Sequence, residues 1–521
     1  MNLLDFFDAG VASYPDAPCF VDCGRDAPAI TYAQAGALTC QIARGLRALG
    51  LEPGFHGAVL SGNAGAAFTA LLGVLRAGGV WLPVNARNAV EANIEFLQDM
   101  DCDVLFYQAR YAAQVAEIRA KLPRIRHCIA LDDAQGPDLS VARLVQGHSP
   151  EMFAAPLQPQ GLAMIMGTGG TTGRSKGVML SHRNLTATMA NHMSAMAVTD
   201  RMTVLAAAPI THTAGLVSMP FMARGGRVVL MDGIDPQNLL QVIERERVNM
   251  LFLPPTVIYT LLAQPNVRDF DFSALRYLMY GAAPMSPDKL AEAIDVFGPV
   301  MLQIYGQAEV PGAISVLRVE DHFIDGQVAP RQRLLSAGRR FPFTRVAVMD
   351  DDGNLLTQPG AVGEIVAQGD IVTAGYYKNP EATAEVQRHG WHCTGDVGYF
   401  DEQGFLFIVD RKKDMIVTGG FNVFSSEVEA AVMAHPAVKD CAVIGVPDDK
   451  WGEAVRAVIE LRPGQSVEPQ ALIQFVKDRL GSVKAPKEVE IVAQLPRSAV
   501  GKVLKKEVRK KYWHAQERMV S

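Results

Sequence analysis

Hydrophobic positions follow two alternating rhythms from the start of the chain to about residue 410. Short apolar runs, "HGAVLSG", "CDVLFYQ", "RHCIALDD", "RVVLMDG" and "NMLFLPP", end in turn residues and predict buried strands. Between them lie segments with apolar residues at helical spacing: "AGALTCQIARGLRALG", closed by Gly50 as a C-cap, then "PQNLLQVIERERV" and "PDKLAEAIDVF". This alternation predicts α/β layers around largely parallel sheets. Over 346–409 strand and turn signals dominate, with "DDDGN", "QPGAVGE" and "DEQGF" as punctuation. The rhythm changes again after "DRKKD". There "SSEVEAAVMAHP" predicts a helix with Ser426 as N-cap, "VKDCAVIGVPDD" a strand, and "PQALIQFVKDRLG" a further helix. The charged run 410–414 is therefore taken as the boundary between a large domain over 1–410 and a small α+β domain over 411–521.

Length agrees with that division, since 521 residues exceed one ordinary core. The 49% apolar and 20% charged residues are those of a globular protein in water, and no run approaches the roughly 18 apolar residues of a membrane span. The N-terminal "MNLLDFFDAGVASYPDAP" has no basic segment ahead of its apolar residues, so a secretory signal is not expected. The seven cysteines are scattered and odd in number, and "CFVDC" lacks the second pair that zinc needs. Reduced, mostly buried thiols and a cytoplasmic location are expected. A net charge of -6 gives nucleic acid no reason to bind. Over 484–511 nine Lys/Arg stand against three Glu, a solvated helix face that could also attract a polyanionic cofactor.

The most unusual passage is "MGTGGTTGRSKGV". A Walker A loop places Lys directly after the last Gly and a hydroxyl after Lys. Here Arg174 and Ser175 separate Gly173 from Lys176, and Gly177 follows, so that reading fails. The ingredients of phosphate binding remain. Gly169, Gly170 and Gly173 permit close backbone approach, Thr168, Thr171 and Thr172 offer hydroxyls, and Lys176 adds charge.

The loop is the first of an ordered series: "MGTGGTTGRSKGVMLSHRN", "APITHTAGL", "YGAAPMS", "IYGQAEV", "WHCTGDVG", "DRKKDMIVTGGFNVFSSEVE" and "LPRSAVGK". With these motifs nearly the whole chain resembles the adenylate-forming superfamily of acyl-CoA synthetases, luciferases and peptide-synthetase adenylation domains. The resemblance implies a large N-terminal domain of layered α/β subdomains, a small mobile C-terminal domain, and a hinge at the boundary drawn above. It also implies two half-reactions. A carboxylate and ATP give acyl-adenylate and pyrophosphate, and a thiol, usually coenzyme A, then displaces AMP. The partners expected are a small carboxylic acid and at most a second copy of the chain, with no nucleic acid and no stable membrane insertion.

Carried over residue by residue, the resemblance makes Lys502 the lysine that bridges carboxylate and α-phosphate oxygens. Glu309 matches the Mg2+ ligand, Tyr305 the ring stacked on adenine, with Gly306 and Gln307 in the same nucleotide-binding motif. Gly281, Ala282 and Ala283 match a small-residue strand end beside adenine and the acyl group, and His212 the mouth of the acyl pocket. Asp396 and Arg411 match the ribose contacts. Lys413 matches the hinge position, Gly419 and Gly420 the pantetheine channel, and Trp451 and Lys487 are candidates for the adenine and phosphates of coenzyme A. Taken alone, Tyr305 would be a core aromatic, Lys502 a solvated lysine and His212 a structural histidine.

Four positions depart from the family pattern: Ser175 and Ser425 stand where Pro is usual, "GGAP" reads "GAAP", and Ala308 replaces a Thr whose hydroxyl would reach the α-phosphate. The last would cost about 1.5–3 kcal/mol if nothing substituted for it. The expected function is an ATP-dependent acid–CoA ligase acting on a fatty or aromatic acid. Transfer to a carrier protein and a catalytically silent binding protein are the alternatives.

Overall fold

The computed structural model describes residues 1–24, 28–132, 138–167, 175–497 and 503–513. Two compact units emerge. The first takes in most of the chain up to Val346 together with Ala367–Gly390, and the second takes in Ala347–Val366 and the chain from Trp391 onward. The second unit thus begins ahead of the composition change near residue 410.

In the first unit a nine-stranded sheet runs, in spatial order, Arg339–Arg340, Ser315–Leu317, Met301–Tyr305, Tyr277–Gly281, Met250–Leu253, Thr203–Ala206, Arg227–Leu230, Pro18–Asp22 and Ile30–Thr31. Its six central strands, from Met301–Tyr305 to Pro18–Asp22, are all parallel. An eight-stranded sheet holds His56–Leu60, Val104–Tyr107 and His127–Ala130 side by side in parallel, with Leu162–Gly167, Gly177–Ser181 and Gly375–Tyr376 toward its other edge. The five apolar runs singled out above form five of these strands. Met250–Leu253 and His56–Leu60 are buried along their whole length, as strands covered on both faces must be.

The predicted helices form Tyr32–Ala48, Pro236–Arg245 and Pro287–Phe297. Thr31 and Gln34 close a reciprocal capping box at the first, and Gly50 beyond its end takes φ +79°, the left-handed turn that a side chain would resist. Asp235 caps the second by accepting from the Asn238 N–H.

The second unit holds the antiparallel pair Trp391–Phe400 and Leu406–Arg411, then a five-stranded sheet of Ile416–Thr418, Phe421–Val423, Val438–Asp448, Gly452–Leu461 and Glu488–Val492. The helices Ser425–Met433 and Pro469–Lys484 pack on that sheet through Val428, Val432, Leu472 and Val476. One expectation is corrected here. Ser426 is not the N-cap of Ser425–Met433, because Phe424 holds that position without a side-chain cap. The Ser426 hydroxyl donates instead to the Val409 carbonyl. Its neighbour Ser425, fully buried, donates through both N–H and Oγ to the Asp410 carboxylate. Lys505 Nζ lies 2.7 Å from Ser425 Oγ and 2.9 Å from Glu429 Oε1, which closes a buried polar network. Burial works against charge on Lys505, but Glu429 and Asp410 hold its pKa above the usual value.

All seven cysteines are free thiols, six of them buried. Among the described residues no helix is long and apolar enough to cross a membrane.

Candidate functional site

In the first unit the expected residues gather at the C-terminal ends of two neighbouring parallel strands. Gly281 closes Tyr277–Gly281 in register with Ile304, next to last in Met301–Tyr305. A Cβ on Gly281 would stand 2.5 Å from the Ile304 carbonyl oxygen, so only glycine lets the strands close here. Ala282 follows with φ +65°, in the left-handed region that costs an L-residue about 1–2 kcal/mol. This is the altered position of "GAAP", and its physical meaning is backbone strain next to the strand end. Ala282→Gly should therefore stabilise the protein by about 1 kcal/mol in equilibrium denaturation, net of glycine's greater unfolded-state entropy. An unchanged or lower midpoint would contradict the strain assignment.

Beyond Tyr305 the chain folds into a tight loop. Gln307 and Val310 exchange backbone hydrogen bonds of 3.1 and 3.3 Å, and the Ile314 N–H returns to the Tyr305 carbonyl at 2.9 Å. Gly306 has no room for a Cβ, which would meet the Gly312 nitrogen at 2.5 Å. Ala308 packs its methyl against the main core of the unit. Glu309 is fastened twice: its carbonyl accepts from Thr373 N–H at 2.8 Å, and its Oε1 accepts from the Tyr376 hydroxyl at 2.6 Å. The Tyr376 ring carries Lys176 Nζ 5.0 Å from its centroid. Burial, and then the Glu309 charge, raise the Tyr376 phenol far above its ordinary pKa. A carboxylate held in one orientation is the hard oxygen donor that Mg2+ takes beside nucleotide phosphates, so Glu309 suits that ion. Among the described residues no cluster of three or more His, Cys, Asp or Glu side chains could hold a metal alone.

His212 precedes the helix Thr213–Met222. Its Nδ1 lies 3.0 Å from Thr211 Oγ1, whose hydroxyl donates to the Val84 carbonyl at 2.9 Å. The hydroxyl has one proton and gives it to Val84, so Nδ1 must be the donor and Nε2 carries the lone pair. Burial lowers the His212 pKa to about 4, which leaves the ring neutral at physiological pH.

The second unit brings Asp396 and Arg411 together. They are register partners on adjacent antiparallel strands, and Arg411 Nε lies 3.1 Å from Asp396 Oδ1. Asp396 is buried and Arg411 largely exposed. Lys413 has its pKa lowered by burial and then by Arg411. Gly419 and Gly420 form the turn between Ile416–Thr418 and Phe421–Val423 with φ of +57° and +81°. Gly419 donates to the Trp451 carbonyl at 2.8 Å, and a Cβ on it would strike the Trp451 ring at 2.6 Å. Lys450 lies 4.6 Å from the same ring's centroid. Lys487 instead turns back to the Ser482 carbonyl, 2.5 Å away.

Thr168, Gly169, Gly170, Thr171, Thr172, Gly173 and Lys502 lie outside the described residues. Sequence reasoning passed over Tyr376, Thr373 and Thr211. The stretch "TAGYYKNPEAT" does carry a signal, but a structural one: Asn379 caps the helix Pro380–Val386. The phenol–carboxylate bond spans 67 residues and has no local signature.

Strand ends of a parallel sheet, with a fastened carboxylate and a cation beside them, are the setting in which α/β enzymes bind nucleotides. Comparison with known proteins makes this specific. Family models described as AMP-binding enzyme and AMP-binding enzyme C-terminal domain match residues 7–377 and 427–502. A feruloyl-CoA synthase from Amycolatopsis is 36% identical over 489 residues, covering 93% of this chain and 94% of that protein. The medium/long-chain-fatty-acid–CoA ligase FadD8 of Mycobacterium tuberculosis is 40% identical over 376 residues, covering 71% and 64%. Among solved structures, the amide bond synthetase McbA from Marinactinospora thermotolerans superposes with a TM-score of 0.87 at 29% identity, covering 98% of this chain and all of that one. The chain belongs to the AMP-binding enzyme family, in the acyl-CoA synthetase branch of the adenylate-forming superfamily. It is an AMP-forming acid–CoA ligase that uses ATP and coenzyme A.

Proposed function

We propose that the enzyme activates an aromatic carboxylic acid of the arylalkenoic kind, with medium to long fatty acids as the second substrate class. The observation that carries this reading is the likeness to a feruloyl-CoA synthase, 36% identical along 93% of the chain.

In this reading the loop from Thr168 to Gly173, with Lys176, holds the ATP phosphates, Tyr305 stacks on adenine, and Asp396 and Arg411 take the ribose. Glu309 would hold Mg2+, which supplies charge neutralisation to the phosphates. His212, neutral and with its tautomer fixed by Thr211, lies at the acyl pocket. Lys502 stabilises charge where carboxylate oxygen meets the α-phosphorus. The 411–521 domain then turns about Lys413, so that Gly419 and Gly420 line the path of the pantetheine thiol and Trp451 and Lys487 meet the rest of coenzyme A.

The test is AMP release from a panel of arylpropenoic, benzoic and fatty acids, each with and without coenzyme A. Arylpropenoic acids should give the highest kcat/KM, and coenzyme A should strongly stimulate turnover. Activity confined to fatty acids would refute the substrate class. Turnover indifferent to coenzyme A would refute the acceptor.

A further inference from the structure

We propose that Tyr376 is a positioning residue for the metal-binding carboxylate, its hydroxyl fixing Glu309 while its ring holds the Lys176 ammonium. The proposal rests on the reading of Glu309 as the Mg2+ ligand.

The geometry is unusually determined for a side chain so far from the site in sequence. Tyr376 is 6% exposed and sits on the short strand Gly375–Tyr376, in register with Val178 of Gly177–Ser181. That pairing sets the ring two residues along the sheet from Lys176, on which the phosphate loop ends. Three further bonds anchor this strand. Tyr376 N–H donates to Thr383 Oγ1 at 2.9 Å, Tyr377 N–H to the Gly177 carbonyl at 2.7 Å, and Thr373 Oγ1 to the Met179 carbonyl at 2.6 Å. Gly375 is required beside it, because a Cβ there would stand 2.5 Å from Thr383 Cγ2. The strand is thus a rigid mount, and the segment before it also grips the Glu309 backbone through Thr373 N–H.

A free glutamate carboxylate rotates about its last torsion. Donation by the phenol to Oε1 removes that freedom and leaves Oε2 as the oxygen presented to a cation. One rigid residue therefore sets the relative placement of a cation meant for phosphate and an anion meant for the metal that neutralises the same phosphate. Precise placement of such groups by supporting hydrogen bonds typically matters tenfold or more in metal affinity.

Tyr376→Phe tests this, because it deletes the hydroxyl and keeps the ring under Lys176. ATP binding is measured by calorimetry in excess Mg2+ and in chelator, alongside the Mg2+ concentration for half-maximal adenylation. The variant should bind ATP normally in chelator, lose about tenfold of the affinity that Mg2+ adds, and need about tenfold more Mg2+. The KM for the acid should not change. Glu309→Gln should show the same pattern more strongly, and Tyr376→Phe added to it should do nothing further. If Glu309→Gln shifts the Mg2+ response and Tyr376→Phe does not, the positioning role is overturned. If Glu309→Gln leaves the Mg2+ response intact, the metal-ligand reading itself fails. Equal loss of ATP binding with and without Mg2+ in Tyr376→Phe would assign the hydroxyl to the fold, and also overturn the proposal.

Discussion

Replacing Lys502 by alanine is expected to slow adenylate formation by about two to three orders of magnitude, the usual scale for removing one charge-stabilising donor. The same variant should still convert supplied acyl-adenylate and coenzyme A to thioester. In that step no carboxylate approaches the α-phosphorus, so the lysine has no charge to stabilise. Lys413→Pro should do the opposite. It fixes φ near about -65° at the proposed hinge, so adenylation persists while thioester formation falls. Both half-reactions are followed separately, by pyrophosphate exchange and by thioester absorbance. Equal loss of both steps in folded Lys502→Ala protein would sink the alternation of the small domain.

Acid should unfold the first unit unusually early. His182, His192 and His322 are 1%, 2% and 0% exposed, and burial lowers each from 6.5 to about 4. In the unfolded chain they bind protons from about pH 6.5 downward, whereas in the folded unit they stay neutral until about pH 4. Stability is therefore full above pH 6.5 and lost as pH falls through that window. Acidification through that window costs about 3 kcal/mol of stability per histidine by this linkage, against about 5–15 kcal/mol for a typical domain. Urea midpoints between pH 7 and 4.5 should fall steeply, and His192→Gln should flatten the slope by up to about 1.4 kcal/mol per pH unit. A profile level from pH 7 to 5 would refute the neutral burial of these rings.

The parts of this molecule that could be read from its sequence are those whose physics is local. "NMLFLPP" and "HGAVLSG" become buried strands because a parallel strand covered on both faces has to be apolar throughout. Gly50 and Asp235 cap helices through neighbours a few residues away. What escaped is long-range. Ser426 has the chemistry of an N-cap, yet Val409 claims its hydroxyl from 17 residues back in the chain. The pairing of Asp396 with Arg411 depends on a sheet register that includes a bulge between Val397 and Gly398. Ala282 looks like a harmless small residue until its positive φ is known.

The serine at 425 has an effect that its size conceals. A proline there could donate no hydrogen bond, whereas Ser425 gives two donors to the buried Asp410 anion and links it to Lys505. Asp410 precedes the proposed pivot and Ser425 and Lys505 follow it, so turning at Lys413 would strip the anion of its partners. Leaving that anion buried without its partners would cost about 3–5 kcal/mol. By population-shift arithmetic that would be a bias of about two to nearly four decades toward the orientation that keeps the network intact. A ligand driving the proposed turn would have to recover this work through its own preference for the other orientation. The apparent affinity for such a ligand would then report the latch as well as the contacts.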